Sequence, residues 1–123
     1  DTIMAQAFGQ ISAPFLSVTG TRDASPIDPA LSPKSRQWVF AALPSGNDYL
    51  LVMNDADHMV LGGGNGVEGR LSSSSDIPGI DRVVGQVTTL FWLATLQDEA
   101  RAAKTLKAMP ADALRPGDIW AAR

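Results

Sequence analysis

Hydrophobic positions fall into groups separated by polar, glycine- and proline-rich stretches. Residues 1–12, with Ile3, Met4, Phe8 and Ile11, read as a short helix or an extended lead-in. Pro14 opens a strand through Phe15, Leu16 and Val18, and Gly20 ends it. The run does not alternate cleanly, as expected of a strand covered on both faces of a parallel sheet. Thr21 to Pro29 form a polar loop with two prolines, and Pro33, following Ser32, opens a helix through Trp38, Val39 and Phe40. The breaker Leu43-Pro44-Ser45-Gly46-Asn47-Asp48 precedes a second apolar strand, Tyr49 to Met53.

A Gly- and Ser-rich loop from Gly62 to Ser75 follows, with Ser75 or Asp76 as a cap and Pro78 in the first turn of the next helix. There Ile80, Val83, Val84, Val87, Leu90, Phe91 and Ala94 recur at three- and four-residue spacing, so one helix face is apolar. A further helix over Asp98 to Met109 is closed by Pro110, and the chain ends in a tail through Arg115-Pro116-Gly117-Asp118-Ile119-Trp120. Strand, helix, strand predicts an α/β fold built on a βαβ unit of a parallel sheet with right-handed crossover, followed by C-terminal helices. Two strands and about three helices leave both long strand edges open, so partner strands are expected to complete the sheet.

At 123 residues the chain is at most one domain, without internal repeat or linker. A hydrophobic content of 45% with 19% charged residues is that of a folded chain. The net charge of −3 and the scattered Lys and Arg argue against nucleic-acid or anionic-membrane partners. No apolar run approaches the roughly 20 residues of a membrane-spanning helix. With no cysteine and one histidine, neither a thiolate nor a polyhistidine metal site is expected, and no cofactor is implied. The start at Asp1, without Met or leader, reads as a processed, truncated or excised N-terminus, and the compartment stays open.

The candidate chemistry lies past the ends of the two strands. Asp23 follows the first, in Thr21-Arg22-Asp23, and His58 follows the second, in Asn54-Asp55-Ala56-Asp57-His58. An acid and then a histidine, each beyond a strand end, form the back half of a Ser…Asp…His triad. No serine lies in a Gly-x-Ser-x-Gly elbow, so the nucleophile is missing. Asp28 is the substitute acid. Asp55 and Asp57 read as solvated loop acids, because side chains of neighbouring residues diverge. Gly62-Gly63-Gly64-Asn65-Gly66 lacks the Gly-Lys-Ser/Thr ending of a phosphate loop and reads as a plain loop. Trp38, Phe40, Phe91 and Trp92 read as core and interface anchors, and Met53 and Met59 as core filler.

Several stretches resemble the C-terminal half of the α/β-hydrolase superfamily, most closely its dienelactone-hydrolase-like and bacterial esterase branches. They are Ile11-x-x-Pro14-Phe15-Leu16-x-Val18-Thr19-Gly20-Thr21-Arg22-Asp23, Leu43-Pro44, Tyr49-Leu50-Leu51-Val52 through Ala56-Asp57-His58, the Phe91-Trp92 helix and the Pro116-Gly117-Asp118 tail. The resemblance implies a serine hydrolase of carboxylic esters or related acyl substrates, with Asp23 as triad acid and His58 as base. It implies a small-molecule ester substrate and, upstream, the nucleophile elbow and oxyanion loop. The expected partner is an N-terminal hydrolase segment or a second copy, without which the 123 residues are inactive. The rivals are a non-catalytic binding or assembly module using the open strand edges, and a cofactor-free enzyme using His58 and a carboxylate without serine.

Overall fold

The computed structural model describes residues 2–60 and 77–123. The expected loop from Gly62 to Ser75, with its glycine run and the Ser75 or Asp76 cap, lies outside the described residues. The chain forms helix α1 (Thr2–Phe8), strand β1 (Phe15–Arg22), a 3-10 turn (Pro33–Gln37) leading into α2 (Trp38–Ala42), and β2 (Asp48–Asp57). Then come α3 (Ile80–Leu96), α4 (Ala100–Lys107) and β3 (Ile119–Ala122). The fold is mixed α/β.

β2 is the central strand. It pairs in parallel with β1 and antiparallel with β3, in the order β1-β2-β3. Tyr49, Leu51 and Met53 face α3 and α4, where they bury against Ile80, Val83, Val87, Phe91 and Leu106. On the other face, β1 fronts Arg36 of the 3-10 turn and Val39 of α2. Helices on both sides explain why β2 is apolar at successive positions: Tyr49 to Met53 are all buried.

β3 corrects the two-strand expectation. Ile119 to Ala122 is too short to show a period, and its strand form comes from tertiary anchors. The Trp120 ring stacks on Tyr49 at a centroid distance of 5.7 Å, and its Nε1–H donates to the Leu106 carbonyl at 2.9 Å. Arg123 and Asp48 exchange backbone hydrogen bonds at 3.0 and 3.2 Å. Both edges of β2 are thereby paired, and among the described residues the outer edges of β1 and of the short β3 have no strand partner.

Helix ends differ too. α3 begins after Gly79, whose φ of 82° suits glycine, so Pro78 stands before the helix rather than in its first turn. α4 begins later than expected, because the Glu99 side chain accepts the Arg101 and Ala102 amides and caps it. Phe91 is buried, whereas Trp38 and Trp92 are about half exposed and so are not core anchors. Met53 is fully buried.

Candidate active site

β1 and β2 run in parallel from Phe15↔Asp48 to Gly20↔Met53, and then the register breaks. The next pair is Arg22↔Asp57, so two steps along β1 match four along β2. β2 therefore bulges by two residues. Side-chain parity survives a two-residue insertion, but everything beyond it shifts by one pleat repeat, about 6.6 Å. Without the bulge, Asp23 would face Ala56. With it, Asp23 and His58 are the first residues past a matched pair, opposite one another.

The chain accommodates the bulge in named ways. Asp55 adopts a left-handed conformation with φ of 60°, tolerated by Asp better than by most residues. Gly20 lets the bulged strand pass, since a Cβ there would lie 2.0 Å from the Ala56 carbonyl oxygen. The Thr21 hydroxyl accepts the Asp55 amide at 2.9 Å, and the Asp118 carboxylate accepts the Asn54 amide at 2.8 Å. Arg115 donates to the Asn54 carbonyl at 3.0 Å. Beyond the last regular pair, backbone groups of β2 are thus satisfied by side chains.

The structure brings Asp23 and His58 together. His58 Nδ1 lies 2.9 Å from Asp23 Oδ1, a normal hydrogen-bond length, with Nδ1–H donating to the carboxylate. The Asp23 side chain is only 7% exposed, and its other oxygen accepts the Thr19 hydroxyl at 2.7 Å. Arg36 Nε donates to the Asp23 carbonyl at 3.3 Å and lies 3.5 Å from Oδ1. Buried, doubly hydrogen-bonded and flanked by a guanidinium, this carboxylate has one orientation. The His58 side chain, by contrast, is 48% exposed, and among the described residues its Nε2 makes no hydrogen bond.

The other acids are occupied elsewhere. Asp28 accepts the Ala30 amide at 3.0 Å within its own loop. Asp57 is not a solvated loop acid: it ends β2, and its Oδ1 accepts the Met59 and Val60 amides at 3.0 and 3.1 Å, fixing the turn that carries His58. Asp55 is exposed on the bulge.

A pocket of about 270 Å³ opens beside the pair, lined by Phe15, Ser17, Val18, Val39, Arg36 and His58. It is an apolar hollow with a guanidinium and an imidazole at one end. On the α3 side of β1 a second hollow of about 330 Å³ is lined by Leu16, Thr88, Phe91 and Trp92. Ser25 is engaged in a turn, where its hydroxyl accepts the Asp28 amide at 3.0 Å. Among the described residues no serine is hydrogen-bonded to His58. Nor does any group of three His, Asp or Glu side chains there have the spacing of a metal site, and none of the described helices is long and apolar enough to cross a membrane.

Sequence reasoning pointed to Asp23 and His58 but not to Thr19, Arg36, Thr21, Asn54 or Asp118. Thr19 lies four residues before Asp23 and carries no signature for its hydrogen bond. Asp118 stands out in the sequence only as part of the tail. Comparison with protein-family models, curated proteins and solved structures finds no significant match to this chain.

Proposed function

We propose that this chain is the C-terminal portion of an α/β-hydrolase domain and supplies the acid–base pair of a serine-type esterase. The observation that carries the proposal is the 2.9 Å contact of His58 Nδ1 with a buried carboxylate, Asp23, past the ends of adjacent parallel strands. A carboxylate on Nδ1 keeps the proton there and leaves the Nε2 lone pair as the base. In this reading Nε2 takes the proton of a serine hydroxyl as its oxygen adds to the ester carbonyl. It returns that proton to the leaving alkoxide as the carbon–oxygen bond breaks. Asp23 stays ionised and stabilises the transient imidazolium.

The serine would come from a segment whose strand pairs along the outer edge of β1. Successive side chains of such a strand point to opposite faces, and hollows flank β1 on both faces, one beside Phe91 and Trp92 and one beside His58. The substrate would be a small carboxylic ester. The test is fluorophosphonate labelling of the polypeptide made from its complete coding sequence, alongside the 123 residues alone. One serine outside the 123 residues should label, and His58→Ala should abolish labelling; the short chain should neither label nor hydrolyse p-nitrophenyl acetate faster than free imidazole. Labelling that survives His58→Ala would refute the assignment.

A further inference from the structure

We infer that Asp118, near the C-terminal end, is a positioning residue for His58, acting through the β2 bulge. Its role as part of a catalytic site rests on the esterase reading; its effect on the imidazole does not. The register break shows what is at stake, because the two extra residues of β2 are what bring His58 level with Asp23. A bulge gives up ladder hydrogen bonds, and parallel strands without one would return to the simple register. Something must hold the extra residues out.

The tail does so at Asn54, the first residue after the last regular pair. Asp118 Oδ1 accepts the Asn54 amide at 2.8 Å, and Oδ2 accepts the Arg115 amide at 3.0 Å. Arg115 Nη2 donates to the Asn54 carbonyl at 3.0 Å, so the tail engages both backbone groups of this residue. The Asp118 side chain is fully buried, with Arg115 Nη1 3.6 Å from its Oδ1. That Nη1 is buried with no hydrogen-bond partner, so the ion pair is what it has. Gly117, at φ of 83°, turns the tail here, and a Cβ on it would lie 2.9 Å from the Asn54 side chain. The Arg115-Pro116-Gly117-Asp118 segment is therefore fitted to the bulge and not merely laid across it.

The consequence is that a residue sixty positions from His58 in sequence sets the imidazole's partner. Loss of the carboxylate frees Asn54, lets β2 slide toward the regular register, and carries His58 off Asp23. The bound ring is held with its proton on Nδ1, whereas a released ring returns to the solvent mixture of tautomers. Long-range ¹H–¹⁵N spectra of the 123-residue chain at about pH 8, where an ordinary imidazole is neutral, report this directly.

The wild-type ring should appear as a single Nδ1–H tautomer. Asp118→Ala should lose that signature, while Lys107→Met, which frees the Gly46 and Arg123 carbonyls at the other end of β3, should keep it. Where Asp118→Ala does not fold, Thr21→Val decides, since it removes only the acceptor of the Asp55 amide and should give a partial loss. A pure Nδ1–H tautomer in a folded Asp118→Ala, or in Thr21→Val where that variant does not fold, would overturn the inference, as would its loss in Lys107→Met. Because the readout is the tautomer, an absent nucleophile cannot mimic either result.

Discussion

Gly20→Ala is the smallest change that tests the bulge. The added methyl would lie 2.0 Å from the Ala56 carbonyl oxygen, 2.6 Å from its carbon and 2.7 Å from its Cβ. Real Cβ atoms keep at least 3.0 Å from such neighbours, so the strands must separate by about 1 Å or more at this point. Ala56 is fully buried and cannot recede into solvent. Overpacking of this kind costs about 1–3 kcal/mol, and an obstacle made of backbone places the cost at the upper end. With an m-value of about 2 kcal/mol/M, the urea midpoint should fall by about 1–1.5 M. Gly85→Ala is the control, because its Cβ meets nothing within 4 Å inside α3 and should raise stability by up to about 1 kcal/mol. Urea titration followed by far-ultraviolet circular dichroism compares the two. An unchanged midpoint for Gly20→Ala would refute the close approach of β1 to the bulge, and with it the register argument.

In the complete enzyme proposed here, Asp23→Asn should preserve the fold and lower kcat by about 10⁴-fold, the scale expected when the imidazole takes the wrong tautomer; steady-state kinetics with circular dichroism checks both halves. The Tyr49 phenol is held above its ordinary pKa of 10.0 by burial and, secondarily, by the Asp48 carboxylate. The folded protein thus keeps this proton to higher pH than the unfolded chain, and its contribution, complete below about pH 10, is lost as the pH rises through the folded value. Melting across pH 8–11 should show a steeper loss for wild type than for Tyr49→Phe, and parallel curves would contradict it. With the β1 edge unpaired and Trp92 about half exposed, the 123-residue chain should elute as more than a monomer; light scattering that gives a monodisperse 13 kDa species would count against edge pairing.

Which elements the sequence disclosed follows from what a local pattern can encode. The Ile80–Ala94 spacing marked α3 because a long helix repeats its apolar face several times before ending. β2 showed as a continuous apolar run because helices cover both of its faces. β3 did not show, since four residues cannot display a period and its anchors, Tyr49, Leu106 and Asp48, are all remote in sequence. β2 also runs to Asp57, well past Met53, through residues whose polarity reads as a loop. Asn54 and Asp55 belong to a strand because side chains from elsewhere satisfy their backbone.

The candidate site divides in the same way. Asp23 and His58 are legible because their chemistry depends on residue type and on following a strand, both local facts. Their mutual distance is not local. It depends on a two-residue bulge, on Gly20 leaving room for Ala56, and on Asp118 and Arg115 closing over Asn54. Each is an ordinary residue until the register is known: a glycine ending a strand, an aspartate after a glycine in a tail. A register shift of one pleat repeat, about 6.6 Å, separates a hydrogen-bonded pair from two unrelated side chains. The residues that perform the proposed chemistry and those that make it geometrically possible therefore differ, and only the first group carries a signature in the sequence.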